Sequence, residues 1–123
     1  MTKYKTFLTE SQVNDKTLTI LIEIEVEEEL QEVNLIDHDL SLKEKKDFLK
    51  RLDSGEVFSA FIVVRAKALE VEGNDSLGSC YIETKNFSHE IDTIVSDHSM
   101  IENAIEDLLK KMKRLTEKLK EYF

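Results

Sequence analysis

No stretch constrains the fold of this chain as tightly as Thr17 to Glu29, which reads TLTILIEIEVEEE. Leu18, Ile20, Ile22, Ile24 and Val26 alternate with Thr19, Leu21, Glu23, Glu25 and Glu27. Successive side chains of an extended strand point to opposite faces, so this period of two puts aliphatic residues on one face and carboxylates on the other. The strand must therefore belong to a sheet with one buried and one wet face.

The neighbouring segments supply partners for it. Tyr4, Phe7 and Leu8 predict a strand over residues 3–10, joined to residues 17–28 as a hairpin. Asn14-Asp15 lies between them, and both residues tolerate the left-handed conformations of tight turns. LQEVNLIDHDL, Leu30 to Leu40, is irregular and leads to a helix. Ser41 and Glu44 have the spacing of a capping box, in which each side chain satisfies an orphan donor of the first turn. Leu42, Phe48, Leu49 and Leu52 form its apolar stripe, and Gly55 suits the left-handed position that ends it.

EVFSAFIVVRAKALEVE, Glu56 to Glu72, follows as one long strand. Phe58, Ala60, Ile62, Val64, Ala66 and Ala68 occupy one face, and the middle of the other is apolar enough to be covered as well. Gly73 and Asn74 suit positive φ, so EGNDSLGSCY is expected to hold the loop of a second hairpin. SCYIE then forms its short return strand, with Cys80 and Ile82 on the buried side.

The remainder is helical. Ser88 is placed to cap a short helix through Ile91, Ile94 and Val95, and Ser99 with Glu102 forms a second capping box. Ile101, Ile105, Leu108, Met112, Leu115, Leu119 and Tyr122 then recur at spacings of four and three, a heptad pattern. Ala104 and Leu109 broaden the stripe in its first half; beyond Leu115 it narrows to a seam. A helix over about 100–122 is ~35 Å long, while a domain of this size has a radius of gyration near ~13–14 Å. Its last turns are expected to project and to take a partner, most simply a second copy of the chain.

These elements predict a single α+β domain over residues 1–123. A two-layer arrangement is expected: an antiparallel sheet of about four strands from two hairpins, a helix between the hairpins, and a long C-terminal amphipathic helix packed on the sheet. The chain has no proline, three glycines and one cysteine, so no disulfide can form within it. A reducing, cytoplasmic setting is the expectation. No apolar run approaches the ~20 residues of a membrane span.

Motifs for chemistry are sparse. GNDSLGSC has the glycine spacing of a phosphate loop, but Ser79 and Cys80 stand where Lys and Ser/Thr are required. Cys80 could serve a small Cys-dependent enzyme, yet no lysine or arginine lies within four residues of it and no histidine forms a local signature with it. Packing as a small hydrophobe is the expected role. Asp37, His38 and Asp39 with His89, Asp97 and His98 lack the spacing of a metal centre. No cofactor or metal is expected.

Charge offers more. Net charge is −9, yet eight acidic and no basic residues lie between Glu23 and Asp39, while six basic residues and one acidic lie between Lys110 and Lys120. Glu23, Glu25 and Glu27 share one strand face at steps of ~6.6 Å. This row is the expected contact for a protein partner with a basic surface, and Leu115, Leu119 and Tyr122 the expected self-association seam. The alternative for the row is mimicry of nucleic acid against a nucleic-acid-binding enzyme, although DNA strands carry charge at about twice that density. Direct nucleic-acid binding by KKMKRLTEKLK is opposed by the overall charge and by the want of interleaved aromatics. The resulting expectation is a non-enzymatic interaction module, a small acidic regulator, adaptor or inhibitor, acting as a homodimer.

Overall fold

The structure, a computed structural model, describes residues 2–27 and 41–123. Strands β1 (Thr2–Val13), β2 (Lys16–Val26), β3 (Val57–Ala68) and β4 (Val71–Glu83) form one antiparallel sheet in the order β1-β2-β3-β4. Helix α1 (Leu42–Ser54) stands between the two hairpins in sequence, and α2 (Phe87–Asp97) and α3 (Met100–Leu119) follow them. The α+β architecture expected from the sequence is the one observed. The acidic and histidine-bearing segment from Glu28 to Leu40 lies outside the described residues.

The alternation in β2 sets the core. Leu18, Ile20, Ile22 and Ile24 are buried with Ala60, Ile62, Val64 and Ala66 of β3 and Cys80 and Ile82 of β4. Phe87, Ile91 and Val95 of α2 and Met100, Ala104 and Leu108 of α3 close over this face. Val63 and Ser59, on the opposite face of β3, are buried as well. There α1 reaches one corner of the sheet: Phe48 meets Tyr81 edge to face at 4.7 Å, and Arg51 pairs with Glu83 at 3.1 Å. The Ser41–Glu44 capping box forms, and Gly55 ends the helix at φ 79°.

Two local expectations are overturned. EGNDSLGSCY is no hairpin loop; it runs inside β4, and the second hairpin turns at Leu69-Glu70, both at positive φ. Thus β3 is shorter and β4 longer than periodicity implied. Gly73 is there for close approach rather than positive φ: a Cβ on it would lie 2.1 Å from the Leu108 backbone nitrogen and 2.3 Å from the Ala104 carbonyl oxygen. Only glycine lets α3 lie this close to β4.

The second correction concerns helix starts. Ser99 sits at φ 50° and its side chain caps nothing, so the Ser99–Glu102 box does not form. Ser88 lies inside α2, whose N-cap is Asn86. Both helices are held instead by tertiary contacts, which override local capping. Phe87 enters an aromatic cluster with Tyr4, Phe7 and Phe58, at centroid distances of 4.9, 5.9 and 6.2 Å. A bulge between Lys3 and Lys5 marks the start of this strand, where Tyr4 joins the cluster.

Candidate interaction surfaces

The acidic row of β2 is drawn into the domain to different degrees. Glu23 is 8% exposed and Glu27 6%, whereas Glu25 is half-buried. Antiparallel register places Glu23 opposite Val63 and therefore diagonal to Arg65, within reach of a long side chain. Arg65 Nε donates to Glu23 Oε1 at 2.8 Å, and another guanidinium nitrogen donates to Glu72 Oε1 at 2.7 Å. Lys3 adds a contact to Glu23 at 3.5 Å and Lys67 one to Glu72 at 3.6 Å. The Arg65 hydrogen bonds hold both carboxyl groups below their ordinary range, outweighing the opposing effect of burial. Two carboxylates thus meet three cations, and the charge of Glu23 is satisfied within the chain.

Glu27 has a structural partner of another kind. Between Ala60 and Ile62 the β3–β4 register shifts, so that β4 carries one extra residue, and Ser79 adopts φ 55°. Such a bulge turns a backbone donor out of the ladder. The Ser79 N–H donates to Glu27 Oε1 at 2.7 Å, and Ser59 Oγ donates to the same oxygen at 3.1 Å. Glu27 reaches across β3 to hold the bulge. Of the three row residues, Glu25 is the one whose side chain remains half open to a partner.

Cys80 follows the bulge. Its thiol is pushed up to about 11, first by burial and then by the charge of Glu27. At neutral pH it is held as the thiol, the unreactive form. Among the described residues no group of three His, Cys, Asp or Glu side chains is placed to hold a metal ion. No helix among them is long and apolar enough to cross a membrane.

Helix α3 and the residues just after it expose Leu109, Leu115, Leu119, Tyr122 and Phe123. Met100, Ala104 and Leu108 are buried against the sheet, Met112 is half-buried, and every residue from Lys113 onward is exposed. Along the first half, polar clamps fasten the helix to β4. The Asn74 N–H donates to Asp107 at 2.9 Å, Lys111 donates to the Glu72 carbonyl at 3.0 Å, and Asn103 donates to Asp75 at 3.1 Å. The Asn74 bond, then Lys111, lowers the Asp107 carboxyl. Beyond Met112 the same helix face is exposed. Leu115 is 46% exposed, Leu119 47% and Tyr122 82%.

Two grooves flank α3. One, of about 450 Å³, is lined by Phe7, Ile22, Ile91, Val95 and Ile101, with Asp92 and Glu102 at its edge. The other, of about 690 Å³, lies by the hairpin turns and is lined by Val13, Leu18, Ala68, Leu69, Leu109 and Met112. Sequence reasoning missed Leu69, which is 88% exposed at the tip of the second hairpin. Turns with two positive-φ residues favour Asn-Gly, and Leu-Glu carries no such signal. No protein-family model matches the chain, and no curated protein or solved structure gives a match either.

Proposed function

We propose that this chain is a non-enzymatic protein–protein interaction module, a small acidic regulator, adaptor or inhibitor of the cytoplasm, that acts as a homodimer. The observation that carries the reading is the exposed apolar face on the last turns of α3. A helix face that is buried over the sheet continues as the exposed Leu115 and Leu119, with the exposed Tyr122 in the turn just after it. Exposed apolar side chains lined up along one stripe support an interaction site. In the dimer these residues carry self-association, and Glu25, with the paired charges of Glu23 and Glu27 behind it, steers a basic partner protein. The retention of Cys80 as a thiol supports the non-enzymatic reading over a Cys-dependent one.

Sedimentation velocity across a concentration series tests the dimer. Leu115→Lys with Leu119→Lys is expected to shift the chain to monomer without changing its circular-dichroism spectrum, because neither side chain belongs to the buried core. A wild-type chain that stays monomeric at high micromolar concentration contradicts the proposal. For the partner surface, Glu25→Lys is expected to weaken binding to a basic partner, while leaving the fold intact.

A further inference from the structure

We infer that the outer edge of β1 and the groove beside it take an extended segment of a basic partner protein, which adds to the sheet as a further strand. This rests on the reading of a basic protein partner and not on the dimer. In the order β1-β2-β3-β4, β1 is an edge, and among the described residues no strand pairs with its outer side. Every second residue of such a strand turns its N–H and C=O outward, where they can pair with another extended chain. The edge is long and regular. Beyond the bulge between Lys3 and Lys5, register with β2 runs unbroken from Lys5 to Val13. A proline or a bulge commonly closes an edge, and neither interrupts this run.

The groove gives the added strand somewhere to put its side chains. On the helix side of the sheet, Phe7 and Thr9 of β1 stand opposite Ile22 and Ile20 of β2. Helix α3 lies against β4, where Gly73 admits it, and a groove of about 450 Å³ remains beside β1. Phe7 and Ile22 line it together with Ile91 and Val95 of α2 and Ile101 of α3. An added strand points every second side chain to this face, so an aliphatic residue there enters the groove. Charge then selects the occupant. The titratable groups lining the groove are Asp92 and Glu102, both acidic and both exposed. A basic residue two positions from the aliphatic one shares its face and reaches them. Lys5, on the same face of β1, is turned to the Phe7 and Phe87 rings at 5.0 and 5.7 Å. A second copy's β1 in this place would bring its own Asp92 and Glu102 against the same carboxylates, and like charges so placed repel. A basic segment fits better.

The probe is a capped peptide of about nine residues, with threonine at odd positions and valine and lysine by turns at even ones. Binding is followed by NMR of the isotope-labelled chain at low salt. Saturable binding with slowed amide exchange between Lys5 and Val13 is expected. Methylating one alternate set of the peptide's backbone nitrogens is expected to abolish binding, and methylating the other set to preserve it, since only one set faces β1. Asp92→Lys with Glu102→Lys is expected to weaken binding about tenfold, as two exposed attractions become repulsions. Glu25→Lys, on the opposite face of the sheet, is expected to leave peptide binding unchanged. Binding lost with Glu25→Lys but kept by the Asp92, Glu102 variant would overturn the groove while leaving a basic partner standing, and so would equal binding of both methylated peptides. A wild-type chain that does not bind the peptide overturns the inference. Protection of β1 that rises with protein concentration in the absence of peptide also overturns it, because a second copy then occupies the edge.

Discussion

At the scale of single residues, several identities are explained by one contact each. Gly73 is the sharpest case. Its replacement by alanine forces a methyl group into the α3 backbone, where neither the Leu108 nitrogen nor the Ala104 carbonyl can yield without moving the helix. Gly73→Ala is expected to cost about 3 kcal/mol, the upper part of the usual overpacking range, measurable by urea denaturation. Gly55→Ala meets nothing within 4 Å but must adopt φ 79°, so a loss of only about 1 kcal/mol is expected. Equal losses at the two glycines would contradict these assignments. Cys80 yields a chemical prediction. With its thiol near 11 and its side chain buried, alkylation at pH 7 should be slow in the native protein and fast in denaturant. Rapid native labelling would return Cys80 to consideration as a nucleophile. The sequence placed Cys80 correctly, because strand alternation reports which face a side chain takes. It misplaced the role of Gly73, because a glycine needed for close approach looks the same in one dimension as a glycine needed for a turn.

At the scale of elements, the hairpins differ in how well local chemistry matches geometry. Asn14-Asp15 suits its positive-φ turn, and that hairpin was legible. Leu69-Glu70 adopts the same kind of turn with unsuited residues, so the boundary between β3 and β4 was not. Putting an Asn-Gly pair there, by Leu69→Asn with Glu70→Gly, is expected to stabilise the isolated fold by about 1 kcal/mol. An unchanged or lower melting temperature would show that Leu69 makes a stabilising contact. The carboxylate row was legible as a face but not as a set of ion pairs, since pairing with Arg65 depends on register between strands distant in sequence. Its pH dependence follows. Glu23, Glu72 and Asp107 have folded values below their unfolded ones. Their stabilisation is present above the ordinary carboxylate range, near ~4, and is lost as pH falls through that range toward the depressed values. Stability should therefore drop on acidification from about pH 5 downward. Arg65→Met should flatten that decline, and an identical acid profile in the variant would remove the Arg65 cluster as its cause.

At the scale of the whole molecule, two features stand apart from the demands of folding. The core is complete among the described residues: sheet, α2 and the first half of α3 bury one another. Helix α3 nonetheless continues past Met112 with its apolar face uncovered, and Leu69 exposes a second apolar side chain at the end of the sheet where both hairpins turn. The heptad spacing made the helix and its apolar stripe through Leu115 and Leu119 legible in the sequence, because steps of four and three keep a row on one side of a helix. Association is thus the central claim. Sedimentation equilibrium of the wild-type chain at high micromolar concentration tests it most directly. A mass twice the chain's 14.3 kDa, reverting to that of one chain in the Leu115→Lys, Leu119→Lys variant, is the expected result. A single-chain mass for the wild type, or a dimer indifferent to both lysines, would contradict it.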